Sequence, residues 1–329
     1  MARKKVLAIP ENDMFLQRDV EILKNHFEIR TSPGFNRKRP ITSTFKILKG
    51  TLWADLTFCH FAGTHAFLAI LFSKIFGKRS VIIVGGYEVA NLPEIGYGSM
   101  SKPIYAHVVK FVLNHADKLF AVSEFNKEEI LKYAKPKNVK VVYGSNIIHC
   151  DKFRPGGEKE DLVITTGFIG QITIKRKGFE TFIKSAEYMP EVKFALIGGY
   201  LDSSIAYLKS MAPSNVTFTG AVGSDEVLRR CQKAKVYCQL SYYESFGVAL
   251  AEAMACECVP VATDKGALPE VVGDTGFYVP YGDVEATAEA IRKALNSDKG
   301  KQARERIKRM FPIEKLEREL VSEVEELLK

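Results

Sequence analysis

The sequence predicts an α/β protein made of two Rossmann-like, doubly wound domains, and three observations carry that expectation. Short apolar runs alternate with stretches of helical spacing along most of the 329 residues, the pattern of parallel strands covered on both faces. The alternation pauses at "HCDKFRPGGEKED", whose proline, glycines and charges have the composition of a linker. The chain is 46% hydrophobic and 26% charged, enough apolar material for two medium-sized cores.

The elements follow in order. "KKVLAIP" is a short apolar run; "MFLQRDVEILKNHFEI" has helical spacing; "RTSPGFNRKRP" has loop composition. The unit recurs as "ADLTFCHF" with "THAFLAILFSKIFGK", "SVIIVGGYE" with "SKPIYAHVVKFVLNHA", "DKLFAVS" with "EFNKEEILKYAK", and a last strand "VKVVYGSN". A domain boundary is expected near Pro155, giving domains over 1–155 and 156–312. The second series runs "LVITTGFIG", "FETFIKSAEYM", "VKFALIGG", "SIAYLKSMA", "VTFTG", "SDEVLRRCQKA", "KVYCQLS", "SFGVALAEAMA", "FYVPYG" and "DVEATAEAIRKALNS". Residues 313–329, "IEKLERELVSEVEELLK" after Pro312, read as a charged amphipathic helix expected to pack back on the first domain. Two such domains predict a ligand cleft at the carboxyl ends of their strands.

Composition excludes several classes. The start "MARKKVLAIPENDMF" lacks a secretory apolar region, and "HAFLAILFSKIF", the longest apolar stretch, is interrupted by Lys74 and is too short to cross a bilayer. A cytoplasmic protein with free thiols is expected, because the six cysteines show no CxxC spacing. The histidines, too, show no metal-ligand spacing. Charge is uneven. Residues 1–155 hold 24 Lys+Arg against 13 Asp+Glu, net +11, and the remainder 23 against 26, net −3, for +8 in all. A basic half suits a phosphate-bearing ligand or the inner face of an anionic membrane, and "AFLAILFSKIFGKR" and "KPIYAHVVKFVLNH" are the segments that would lie on one. Packing on the sheet is the plainer use of both. Nucleic acid is the less expected partner.

Two glutamates carry the chemistry. The spacing E-x7-E occurs twice, as Glu244 with Glu252 and Glu317 with Glu325. The second pair sits on the charged terminal helix, where a solvated face explains it. Glu244 instead follows the apolar "KVYCQLS", on the loop at a strand's carboxyl end, and Glu252 lies among alanines. Ser245 is expected to cap the helix that follows, so that the amides of Ser245, Phe246, Gly247 and Val248 meet a phosphate with the positive end of the helix dipole. Gly247 would let a ligand approach the backbone. A carboxylate among apolar groups is costly unless a polar ligand, such as a sugar or ribose diol, meets it. The bland alternative is that Glu244 caps and Glu252 pairs with a basic neighbour. A second phosphate element is expected in "TTGFIGQITIKRKGFETF", where Gly167 and Gly170 end a strand and Arg176 and Lys177 precede a helix starting after Gly178.

Together these residues resemble glycosyltransferase family four, retaining enzymes of the GT-B fold that use nucleotide-sugar donors. "SYYESFGVALAEAMACECVPVAT" is similar to that family's "pS..EgfGl..lEAmA.G.PVvat", "GALPEVV" to "gG.pEvv" and "VTFTGAV" to "v.f.G.v"; "ADKLFAVSEFNKEEI", "NIIHCDKFRP", "DLTFCHFAG" and "VIIVGGYEVA" resemble N-terminal segments more loosely. The resemblance implies that Glu244 contacts donor-sugar hydroxyls, Glu252 the ribose, Lys177 the diphosphate, and residues 245–248 sugar and phosphate through backbone amides. Glu244 and Lys177 are then the catalytic candidates. Gly170, Gln171, Arg176, Val222, Ser245, Phe246, Gly247, Val248 and Glu252 are the donor-binding ones, with loop backbone near Val222 meeting the base.

The sequence departs from the family pattern in four places. Gln171 stands where the family often has arginine, Gly85 replaces its "vHG" histidine, Glu257 takes the place of its "EAmAcG" glycine, and "PENDMF" replaces its first glycine-rich loop. On the acceptor side Gly86, Tyr87, Glu88 and His107 are candidates. The donor is expected to be a UDP- or GDP-sugar and the acceptor a glycan or lipid-linked hydroxyl. No Asp-x-Asp occurs, so no cofactor and no obligatory metal is expected. A nicotinamide dehydrogenase is disfavoured because no G-x-G-x-x-G follows a strand. A GT-B-fold nucleotide-sugar epimerase and a non-catalytic nucleotide-sugar or nucleic-acid binding protein are the alternatives.

Overall fold

The computed structural model describes residues 3–9, 17–143 and 148–329, apart from the side chains of residues 17, 18 and 316. The "PENDMF" loop and residues 144–147, part of the "VKVVYGSN" and "NIIHCDKFRP" segments, lie outside the described residues. The chain divides into two compact units, Met1–Ile147 with Ile313–Lys329, and Ile148–Pro312. Cys150 and Phe153 belong to the second because Arg304 donates hydrogen bonds to their carbonyls.

In the first unit the chain runs β1 (Lys5–Ile9), α1 (Gln17–His26), β2 (Glu28–Thr31), α2 (Pro40–Trp53), β3 (Leu56–His60), α3 (Thr64–Ile75), β4 (Arg79–Val84), α4 (Pro103–His115), β5 (Lys118–Ala121), α5 (Glu124–Tyr133) and β6 (Val139–Val141). The strands pair in parallel in the order β2-β1-β3-β4-β5-β6. All of β3 and nearly all of β4 are buried, which is why they read as unbroken apolar runs. Two elements differ from the sequence reading. "NHFEI", which continues the helical spacing, splits into the end of α1 and strand β2. "RKRP", read as loop, leads straight into α2, whose Pro40 occupies the first turn, where its missing N–H costs nothing.

The second unit holds β7 (Glu160–Thr166), α6 (Gln171–Lys177), α7 (Phe179–Ser185), β8 (Lys193–Ile197), α8 (Ile205–Ser210), β9 (Val216–Phe218), α9 (Ser224–Lys233), β10 (Ala234–Gln239), α10 (Val248–Ala255), β11 (Val259–Thr263), α11 (Leu268–Val272), β12 (Phe277–Val279), α12 (Val284–Leu295) and α13 (Gly300–Met310). Its parallel order is β12-β11-β10-β7-β8-β9. The chain moves outward from β7 to β9, then returns to pair β10 with β7. That reversal opens a crevice beyond the carboxyl ends of β7 and β10, the place where doubly wound sheets hold ligands.

The last helix, α14 (Ile313–Leu327), belongs with the first unit. Buried Lys118 donates to Glu323 and to Glu326, and Lys140 also reaches Glu323. Burial works against the Lys118 ammonium, but its bonds to the two glutamates prevail and raise its pKa.

Candidate functional site

At the β7/β10 reversal the chain gathers two cations and a carboxylate. β7 ends at Thr166, Gly170 caps α6, and Arg176 and Lys177 fall in the last turn of that helix. The helix expected after Gly178 is α7, which starts at Phe179; the two cations ahead of it also close a helix of their own, α6, and Gly178, at φ +65°, turns the chain from one into the other. A Cβ on Gly178 would stand 2.2 Å from the Leu240 carbonyl, so only glycine allows this close approach to the loop after β10. Tyr242 N–H then donates to the Arg176 carbonyl at 2.8 Å, tying the two loops together.

Glu244 sits on that second loop. Its Oε2 lies 3.5 Å from Lys177 Nζ, 3.6 Å from Arg176 Nη1 and 3.2 Å from Gln239 Nε2, which donates to it. Burial works to raise the Glu244 carboxyl, and the charges of Lys177 and Arg176 outweigh it, so the carboxylate is held below its ordinary range. Burial lowers the Lys177 ammonium, Glu244 counteracts, and Arg176 adds to the lowering. With both cations charged, the three groups carry one net positive charge in a partly desolvated crevice. Gln239 also donates to Ser241 Oγ, and Tyr237, hydrogen-bonded to Thr166 at 2.7 Å, reaches Gln239. Behind the loop, the Glu244 carbonyl accepts from Ala267 N–H at 2.9 Å. Gly266, at φ +59°, leaves room for it where a Cβ would lie 2.2 Å away.

Ser245 does not cap the following helix. α10 begins at Val248, and its N-cap is Gly247 in the left-handed region at φ +97°, with no side-chain cap. The residue that best frees the backbone here is therefore glycine rather than serine, and Phe246 and Ser245 are buried beside it. Farther along α10 comes Glu252. Among the described residues no donor bonds its carboxylate. Burial pushes its pKa up to about 7, and Lys152 opposes the rise. Gly170 and Gln171 open α6, and Gln171 N–H donates to Asp202 at 3.1 Å. Val222 is half-buried on the loop before α9.

The acceptor-side candidates separate. Glu88 is buried and accepts hydrogen bonds from the amides of Ala62, Gly85 and Gly86 at 3.2, 3.1 and 2.8 Å. Burial raises its pKa and these amides oppose the rise. Tyr87 and Glu88 line a cavity of about 450 Å³ within the first unit, together with Arg37, Phe61, His65 and Tyr105. Gly86 and His107 are not among its lining residues; exposed His107 instead bonds the Pro103 carbonyl at 2.7 Å through Nδ1. Among the described residues Phe61 is one of two that are not glycine and have positive φ, at +63°, a strained conformation of the sort found at ligand sites.

Sequence reasoning missed Gln239, Gly266, Phe61 and Arg37. Gln239 and Gly266 become significant only through the pairing of β10 with its neighbours. Phe61 is marked by backbone geometry, which a residue type does not disclose, and Arg37 sits in a stretch read as plain loop.

Residues 151–310 match the family model described as glycosyl transferases group 1. The chain is a glycosyltransferase, and its second unit carries the group 1 match. Its relatives include N-acetyl-alpha-D-glucosaminyl L-malate synthase of Bacillus anthracis, 26% identical over 282 residues that cover 80% of this chain and 72% of that protein. D-inositol 3-phosphate glycosyltransferase of Mycobacterium sp. (strain JLS) is 28% identical over 60% of this chain, which spans about half (49%) of that enzyme's length. Sucrose-phosphate synthase from Thermosynechococcus elongatus superposes with a TM-score of 0.79 at 17% identity, over 99% of both chains. Anabaena Alr3699/HepE in complex with UDP and glucose gives 0.79 at 15% identity, over 98% of this chain and 100% of that one. This glycosyltransferase has the GT-B fold, an α/β architecture of two Rossmann-like units with six parallel strands each. No helix of its described residues is long and apolar enough to cross a membrane.

Proposed function

We propose that this glycosyltransferase moves a sugar from a UDP- or GDP-sugar to a hydroxyl of a glycan or lipid-linked acceptor, with retention of anomeric configuration. The observation that carries the reading is the clamp of Lys177 and Arg176 on Glu244 at the β7/β10 reversal, with Glu252, whose carboxylate takes no hydrogen bond among the described residues, farther along α10. The anomeric C–O bond to the diphosphate breaks as the acceptor oxygen bonds to the same carbon, and the acceptor proton passes to the leaving phosphate. Negative charge grows on the diphosphate, and Lys177, Arg176 and the start of α10 are fixed donors for it. Chemistry of this kind has no need of an obligatory metal.

Glu244 accepts from the sugar hydroxyls while keeping both cations in place, and Glu252 accepts from the ribose diol. The loop at Val222 faces the base through its backbone. The cavity lined by Tyr87 and Glu88 takes the acceptor. The Anabaena complexes with UDP and with UDP-glucose support the choice of donor class by likeness of fold.

The test is thermal stabilisation by a panel of UDP- and GDP-sugars, because a ligand binding only the folded state raises Tm. One donor is expected to shift the wild type and to fail with Glu252→Ala. No shift with any donor would overturn the reading. Release of nucleoside diphosphate without acceptor, accompanied by sugar inversion, would favour an epimerase.

A further inference from the structure

The first unit exposes an apolar stripe that its own fold does not use. α2 packs on the sheet through Ser43, Ile47 and Thr51. At 3.6 residues per turn, Ile41, Phe45, Leu48 and Leu52 fall together on the opposite face. Ile41 is 84% exposed, Phe45 63% and Leu52 51%, and Leu48 is half-buried. The helix thus packs one face on the sheet, and its apolar outer face has no partner among the described residues. By contrast α3 and α4, the helices that the sequence marks for a membrane surface, expose large apolar side chains at one end each, Ile75 and Phe76 at the close of α3 and Ile104 at the opening of α4.

The charge around the stripe identifies what covers it. Residues 29–54 carry Arg30, Arg37, Lys38, Arg39, Lys46 and Lys49 and no aspartate or glutamate. Lys38, Arg39, Lys46 and Lys49 are exposed. Lys49 and Lys46 run along one flank of the stripe, and the basic "RKR" lies at its head. Arg37 reaches over the Tyr105 ring at 5.3 Å, which brings the start of α4, with Ile104 81% exposed, beside the start of α2. Large apolar side chains bordered by cations, with no anion among them, complement a surface that is apolar within and negative at its face. A protein partner of ordinary composition would not require the uniform sign.

We infer that the outer face of α2 docks on an anionic lipid bilayer, with Ile41, Phe45 and Leu52 inserted and Lys46, Lys49 and the 37–39 run at the headgroups. The cavity that Arg37 and Tyr87 line is then held next to the headgroup layer, so an acceptor carried on lipid would reach it without leaving the membrane. The docking itself does not depend on the proposed transfer reaction.

Flotation of the full chain with phosphatidylcholine vesicles, with and without phosphatidylglycerol, tests the inference. Wild type should float only with the phosphatidylglycerol vesicles, and Ile41→Ser/Phe45→Ser should lower binding by about tenfold or more. Lys46→Glu/Lys49→Glu should also weaken it, whereas Leu131→Ser, an exposed position on α5, should bind as wild type. The altered side chains are exposed, so Tm should hold in every variant, and donor-induced stabilisation provides a separate readout of the second unit. Absence of wild-type binding at low salt would overturn the inference. So would binding that survives Ile41→Ser/Phe45→Ser and is lost with Lys46→Glu/Lys49→Glu, because charge alone would then account for it. A wild-type dimer that the apolar double variant makes monomeric, with vesicle binding unchanged, would assign the face to a second copy instead.

Discussion

Lys177 Nζ lies 3.5 Å from Glu244 Oε2 although the two residues are on different elements of the second unit, one in the last turn of α6 and the other on the loop after β10. Each alters the other: Glu244 raises the ammonium that burial depresses, and Lys177 lowers the carboxylate that burial raises. Lys177→Met should cut kcat by about a hundredfold to a thousandfold, the usual loss when a fixed donor to developing charge is removed. Tm should change little, since Arg176 and Gln239 still hold Glu244. Glu244→Gln removes the influence that raises Lys177, so the alkaline limb of the pH–rate profile should move to lower pH. Steady-state kinetics across pH, with the matched donor and acceptor, would check both.

Glu252 predicts a pH-dependent affinity. Its carboxyl has a pKa of about 7 in the folded protein, against an ordinary value of 4.5. Between those values the native state holds a proton that the unfolded chain has lost, so stability falls as pH rises through this window. Glu252→Gln should remove that fall and gain at most about 3 kcal/mol at alkaline pH. The ionised form is the better acceptor for a ribose diol. Donor affinity of the wild type should therefore rise about tenfold from pH 6 to 8, and calorimetric titration should find no such rise in Glu252→Gln.

Glu257 occupies a glycine's place. α10 ends in two bonds, Cys258 N–H to the Ala253 carbonyl and Glu257 N–H to the Met254 carbonyl, while Glu257 itself stands at φ +67°. This is the helix ending in which glycine is usual, because a side chain there is strained. Glu257→Gly should stabilise the protein by about 1 kcal/mol, read as a higher midpoint in urea with the slope unchanged.

Glu88 predicts a split between the two substrates. Glu88→Ala would leave the amides of Ala62, Gly85 and Gly86 without their acceptor, at a cost of about 2 kcal/mol or more. The acceptor KM should rise while donor-induced stabilisation stays as in the wild type, and Glu88→Gln should recover part of the loss. An equal effect on donor binding would remove Glu88 from the acceptor side.

The sequence by itself determined the alternation of strands and helices, because fully buried parallel strands must be apolar throughout and their covering helices apolar on one face. It also singled out Glu244, Glu252, Arg176 and Lys177, whose charges are unusual beside glycine-rich strand ends. Local spacing misplaced the start of α10, since Ser245 is a good cap but Gly247 alone can take the left-handed turn there. It also passed over α2, behind the loop-like "RKRP", and α13, whose "GKQARERIKRM" is mostly charged and polar. Only the tertiary structure decided that Arg176 and Lys177 meet Glu244: their contact is made by the return of β10 to the side of β7, across 67 or more residues of chain. It likewise decided that the outer face of α2 has no partner among the described residues, since spacing alone does not say which face of that helix turns to the sheet.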